Sequence, residues 1–165
     1  MTTSPLELPG SLDVLIVIGG LNIGGAERHV SYVTQVLSRR GWRIGVYSLS
    51  GDGPLRADLE TAGVNVMLPL GGQAPLRHLF ILRPLWTLIA GVHLTYTMLR
   101  LRPRIVHFFL PAAYLVGAFA ASLARVKIRV MSRRSLNVYQ LAYPIMRRLE
   151  LKLHNTMDAI LGNST

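Results

Sequence analysis

The sequence predicts an α/β fold: a Rossmann-like doubly wound parallel sheet of about six strands with helices on both faces. Three observations carry that expectation. Short apolar runs of strand length alternate with helical patterns along the chain, as in repeated βα units. The strand runs are apolar almost without interruption, the mark of strands covered on both faces. The first of them ends in a glycine-rich turn that leads straight into an amphipathic helix, the arrangement by which such sheets open a ligand crevice.

Val14 to Ile18 is a continuous apolar run bounded by Gly19 and Gly20, and it reads as the first strand. From Ala26 to Arg40, apolar residues at Val30, Val33, Val36 and Leu37 trace one helical face. Gly41 follows Arg39 and Arg40, where a helix-ending glycine and dipole-complementing cations belong. Arg43 to Leu49 predicts the second strand, Gly51 to Pro54 a turn, and Leu55 to Ala62 a short helix with Pro54 at its first position. Val64 to Leu68 predicts the third strand. After a loop from Pro69 to Pro75, a helical stretch runs from about Leu76 to Leu101, with Pro84 a point at which it can kink. Ile105 to Phe109 is the fourth strand, Ala112 to Ala124 its helix and Ile128 to Ser132 the fifth strand. Pro144 to His154 is a further helix, and Ala159 to Leu161 begins a sixth strand. Residues 1–11 form a short tail and residues 12–165 a single domain, with no internal repeat or dividing linker.

A chain of 165 residues, half of them hydrophobic, buries about 70% of its unfolded surface as one domain. It has no cysteine, which removes disulfides, thiolate metal sites and cysteine nucleophiles and fits a reducing, cytoplasmic setting. The net charge of +10 is unevenly spread: no acidic residue occurs between Glu60 and Glu150. Arginines and a lysine from Arg77 to Arg148 fill that interval. Such a surface suits an anion, whether nucleic acid, an anionic membrane or a phosphorylated substrate, and it equally suits plain solvation. The N-terminus has no basic segment before its first apolar run, so no secretory signal is expected. Ile105 to Ala124 is uncharged over twenty residues, the length of a membrane span. Pro111 and the change from a β-like run to a small-residue run make it a buried strand feeding a buried helix.

Ligands of doubly wound sheets bind at the carboxyl ends of the strands, so the expected functional loops are Gly19 to Gly25, Ser48 to Gly53, Phe109 to Tyr114 and Ser132 to Asn137. In the first of these, glycines let the backbone approach a ligand, and amides at a helix start favour a phosphate or a sugar hydroxyl. The spacing Gly19, Gly20, Gly24, Gly25 is not the dinucleotide fingerprint, the second strand ends in Tyr47 and Ser48 without an acid, and no Gly-Lys-Ser/Thr closes the loop.

The ordered segments GGLNIGGAERHV, VHFFLPAAYLVG, VMSRRSLNVYQ and MDAILGNST resemble the N-terminal domain of family-4 glycosyltransferases of the GT-B type, over about Asp13 to Thr165. The resemblance implies transfer of a sugar from a nucleotide-sugar donor to an acceptor, with retention of configuration, in a cleft between two Rossmann-like domains, with no cofactor and no metal. It implies that Gly24 and Gly25 offer backbone amides near the donor diphosphate and acceptor, with Glu27 beside them; a carboxylate capping the helix is the other reading of Glu27. Many members carry His-x-His at the end of the fourth strand. This chain has His107 followed by Phe109, so His107 is a weak catalytic candidate, either a cleft residue or a hydrogen-bonded core residue. Arg133 and Arg134 follow the fifth strand, where a guanidinium can grip a phosphate bidentately or simply be solvated. Asn163 and Ser164 fit the N-cap of a following helix.

The basic, apolar segment 76–104 suits peripheral contact with the inner face of a cell membrane, and a lipid-linked acceptor or polysaccharide precursor would fit that setting. The family's donor-side pair of glutamates has no match here, so the chain is expected to be inactive by itself and to need a C-terminal donor domain. Two alternatives stand beside this reading: a non-catalytic membrane-associated module that recruits a separate catalytic domain, and a nicotinamide-dependent oxidoreductase, which the loop spacing disfavours. Nucleic-acid binding is not expected, because the cations are interleaved with core-forming residues and no recognition module is visible.

Overall fold

The computed structural model describes residues 11–70, 83–133 and 144–162. Six parallel strands form one sheet: β1 (Val14–Ile18), β2 (Ile44–Ser48), β3 (Asn65–Met67), β4 (Ile105–Phe109), β5 (Ile128–Arg133) and β6 (Ala159–Gly162). Their spatial order is β3-β2-β1-β4-β5-β6, so the chain winds outward from β1 to one edge, returns to the middle at β4, and winds to the other edge. The helices are α1 (Gly25–Arg39), α2 (Arg56–Thr61), α3 (Arg83–Leu101), α4 (Pro111–Leu123) and α5 (Pro144–His154). This is the Rossmann-like doubly wound sheet that the sequence predicts.

Alternation along the strands sends side chains to two cores. Leu15, Val17, Tyr47, Val106, Phe108 and Met131 pack with Ala90, Leu94 and Met98 of α3 and with Ala113, Tyr114 and Ala121 of α4. Val14, Ile16, Ile18, Ile44, Val46 and Phe109 pack on the opposite face with Val30 of α1 and Leu59 of α2. All five residues of β1 and of β2 are buried, and each large apolar side chain so buried contributes roughly 1.5–3 kcal/mol. That is why β1 reads as an unbroken apolar run instead of an alternating one.

Local chemistry sets the boundaries. Gly41 ends α1 at φ 84°, a left-handed turn in which its N–H bonds Ser38 O at 2.9 Å; a side chain there would be strained. Pro54 does not open α2 as predicted: it lies in the turn before it, Leu55 takes the cap position in helical conformation, and the helix proper begins at Arg56. The hydrogen bonds of Leu55 N–H to Leu21 O (3.2 Å) and Arg56 N–H to Gly53 O (3.0 Å) tie that turn down before the helix starts. In α4, Pro111 stands in the first turn, where its missing N–H costs nothing. The expected helix from Leu76 is described from Arg83 onward; its earlier residues, and the first half of any kink at Pro84, lie outside the described residues.

Candidate functional site

The two central strands end together: Ile18 of β1 is in register with Phe109 of β4. Beyond them the chain diverges, from β1 towards α1 on one face and from β4 towards α4 on the other, which opens a crevice at the carboxyl edge. Gly24 caps α1 in extended conformation, φ −135°, with no side-chain hydrogen bond to the helix end. The Gly24 N–H, expected to face a ligand, is instead taken by Asn22 O at 3.1 Å, and the N-cap residue offers the first-turn amides of α1 no side-chain acceptor. The Glu27 carboxylate folds back over Gly24 and fills the space a Cβ there would take, which puts a negative charge beside the positive end of the helix dipole. Gly19 and Gly25 have no heavy atom within 4 Å of where a Cβ would sit.

The glycine loop leans on the loop after β2. Ser50 N–H bonds Gly19 O at 2.8 Å, and Ser48 Oγ donates to Gly51 O at 2.6 Å. Asp52 accepts from Gly53 N–H at 2.8 Å and pairs with Arg56 at 3.3 Å, so this acid serves its own loop. A Cβ on Gly53 would strike the backbone of Leu21. One wall of the crevice is thus braced from behind.

His107 sits mid-strand, opposite Ile16 and Val130. Its ring is half-buried, and its Nε2 shares a hydrogen bond of 2.8 Å with Oγ of Ser132 in β5. The Phe109 ring lies 4.2 Å from the His107 ring, and His29 of α1 lies 6.2 Å beyond Phe109. Phe109, two residues nearer the loop on the same face, therefore stands between His107 and α1. The structure brings Gly24, Gly25 and Glu27 together at the head of α1, with His107 below them across the Phe109 ring.

Arg133 ends β5 and faces α5, where its Nε is 3.3 Å from a carboxylate oxygen of Glu150. Glu150 is fully buried and also lies 3.5 Å from His154 Nε2. Arg134, Asn163 and Ser164 lie outside the described residues. Between β4 and α4, Leu110 holds φ 71° and ψ 156°, a region that glycine alone adopts easily, and strain of this kind gathers at functional sites.

Four of these features escape sequence reasoning. Ser132 lies in a loop the sequence singles out, yet its pairing with His107 depends on strand register. His29 carries no signal beyond its place in the first turns of α1. Glu150 stands out as the first acid after a long basic interval, without a hint that it is buried. Leu110 precedes a proline, a restriction that excludes helix but does not announce positive φ. Among the described residues no group of three or more His, Asp or Glu side chains could hold a metal ion. No helix among them is long and apolar enough to cross a membrane.

The family description Glycosyltransferase Family 4 matches residues 23–165. The chain belongs to Glycosyltransferase Family 4. The match takes in Gly24, Gly25, Glu27, His107, Arg133 and Arg134 and leaves out β1 with Gly19 and Gly20. No curated protein matches this family-4 domain. Its fold is shared with solved structures. Anabaena HepE, determined in complex with UDP and glucose, superposes with a TM-score of 0.62 at 18% identity over 92% of this chain and 38% of that one. Acinetobacter baumannii MurG gives 0.62 at 13% identity, over 92% of this chain and 41% of that one. A UDP-N-acetylglucosamine 2-epimerase gives 0.58 at 15% identity, over 92% and 42%. The family-4 domain therefore spans about two fifths of the length of each. At these identities the likeness establishes the Rossmann-like fold they have in common, and the family match makes the domain a glycosyltransferase domain.

Proposed function

We propose that this domain forms the acceptor-side wall of a hexosyltransferase that moves a sugar from a nucleotide-sugar donor to an acceptor with retention of anomeric configuration, without a metal or other cofactor. The observation that carries the reading is the crevice at the β1/β4 switch point, where α1 begins at Gly25 with no side-chain cap from Gly24. Amides at a helix start bind a diphosphate or a polarised hydroxyl without any protein cation. UDP and glucose in HepE make a uridine-diphosphate sugar the first donor to test. The second wall, which would hold the nucleotide, belongs to a C-terminal domain of the complete enzyme. Arg133 and Arg134 would add phosphate contacts at the next strand end, with Arg133 exchanging Glu150 for the ligand. A lipid-linked or cell-surface polysaccharide precursor is the acceptor class that fits a peripheral membrane contact through segment 76–104 on the cytoplasmic face.

Gly25 gives the test. A Cβ there meets nothing in the protein, so Gly25→Ala leaves the thermal midpoint nearly unchanged while placing a methyl group where ligand oxygens approach the amides. Misplacing a reacting group by about 1 Å costs on the order of a hundredfold in rate. The expected outcome in the complete enzyme, assayed against a panel of nucleotide sugars, is a fall in kcat/KM of at least about tenfold with the fold intact. Unchanged kcat/KM would remove the crevice from the reaction. NMR of the product's anomeric proton against that of the donor tests retention.

A further inference from the structure

We propose that the outer face of α3, together with the cation-lined hollow at its C-terminal end, is a docking face for an anionic lipid bilayer. This extends the membrane contact put forward above, assigns it to residues, and does not depend on the sugar-transfer reading. Helix α3 buries Ala90, Leu94 and Met98 against the sheet. A surface helix then carries polar residues on its other side, but here Leu85, Leu88, Val92, Tyr96 and Leu99 stand there at spacings of three or four residues. Leu88 and Val92 are each 63% exposed. No charged residue interrupts the helix between Pro84 and Leu99. Helix α4 packs beside α3, with Val116 next to Gly91, and adds the exposed Phe119 and Leu123.

Where α3 ends, at the edge of the sheet opposite the crevice, lies a hollow of about 660 Å³. Met98 and Leu99 of α3 line it together with Arg102, Arg104, Arg125 and Lys127. Its one acid, Asp13, is held by Arg43 at 3.3 Å, so these four cations have no carboxylate at ion-pair distance among the described residues. Two of them, Arg102 and Arg125, take positive φ, 43° and 54°, the left-handed turn that ends a helix. Each follows the end of its helix, α3 or α4, and each stands at the rim of the same hollow. The hollow shares Leu99 with the apolar stripe. Cations flanking exposed leucines, valine and tyrosine match a bilayer with phosphate headgroups above acyl chains. A soluble polyanion would leave the stripe unused, and an apolar protein partner would leave the cations unpaired.

The test is flotation of the purified protein with phosphatidylcholine vesicles, with and without phosphatidylglycerol, at low and at raised salt. Wild type is expected to float with the anionic vesicles and to be released by salt. The triple variant Arg102→Gln, Arg104→Gln, Lys127→Gln lowers partitioning by about a hundredfold, since each cation near an anionic surface is worth a factor of about five. The double variant Leu88→Ser, Val92→Ser, which touches no charge, lowers it by roughly tenfold or more. All these side chains are at the surface, and circular dichroism and melting check that both variants fold. No flotation of wild type, or flotation unchanged in either variant, overturns the proposal. Full competition by inorganic phosphate with the double variant indistinguishable from wild type would assign the hollow to a free anion and also overturn it. Sugar transfer to a soluble acceptor, measured on the same substitutions in the complete enzyme, is expected to be unchanged, so a failure of docking is separable from a failure of the transferase reading.

Discussion

At Leu110 a single residue carries the turn from β4 into α4, with φ 71° and ψ 156°. This conformation costs a side-chain-bearing residue about 1–3 kcal/mol. Its side chain offsets part of that by packing against the Val30 and Phe109 core. Leu110→Gly removes both the strain and the contact, so the expected change in unfolding free energy is within about 1 kcal/mol. Leu110→Val keeps an apolar side chain but adds β-branching where the backbone tolerates it least, and should lose about 2 kcal/mol or more. Urea unfolding of the two variants decides the matter, and a glycine variant much weaker than the valine one would show that no strain is stored there. The site is legible in part at this scale. Gly24 and Gly25 are visible in the sequence because the glycine-rich loop stands out between a strand and a helix; the pairing of His107 with Ser132 is not, because Ser132 is distant in sequence and becomes adjacent only when β4 and β5 pair.

The elements follow from local pattern wherever burial is uniform. Strand β1 starts and stops where its apolar run does, since a strand covered on both faces has no polar residue to blur its ends. The third strand is the exception: Val64 to Leu68 reads as a strand, but only Asn65–Met67 pairs, because an edge strand with a neighbour on one side frays at its ends. Likewise the start of α2 falls later than the sequence places it, since hydrogen bonds to Leu21 and Gly53 fix the turn and no sequence rule carries them. Packing between elements is invisible in the pattern too. The ring of Phe108 occupies the place a Cβ of Gly117 would need, so α4 lies close over β4 only because Gly117 has no side chain. Gly117→Ala must push α4 away or turn the ring, an overpacking cost of about 1–3 kcal/mol. Gly25→Ala, with its open surroundings, makes the control: a melting midpoint lowered in the first variant and held in the second is the expected pair of results.

For the molecule as a whole, polar ties that involve titratable groups link β2 and its flank to other elements. At one end Asp13, just before β1, joins Arg43, just before β2. Burial would raise the pKa of Asp13, but hydrogen bonds from the Arg43 side chain and backbone and the charges of Arg43 and Arg104 outweigh that and hold it below 3.8. In the interior, Tyr47 of β2 meets Nδ1 of His93 on α3 at 2.9 Å. Burial pushes the Tyr47 hydroxyl up and pulls the His93 imidazole below 6.5, so both stay neutral around pH 7. The sign of the linkage is the same for the two lowered groups: the unfolded chain takes up the proton first. Stability from His93 is present above pH 6.5 and declines as pH falls from there through its lower folded pKa; that from Asp13 is present above 3.8 and is lost at more acidic pH. A two-stage acid profile is therefore expected, with a shallow loss beginning below pH 6.5 and a separate one below 3.8. His93→Gln keeps a hydrogen-bonding group near Tyr47 and removes the titration. Its unfolding free energy, measured by urea denaturation between neutral pH and about pH 5, where an unperturbed histidine has taken up its proton, should lack the first decline that wild type shows, while the strongly acidic limb stays in place. Parallel curves for the two proteins across that interval would mean that His93 protonates as readily in the folded chain as in the unfolded one, and that the contact between α3 and β2 is open to water.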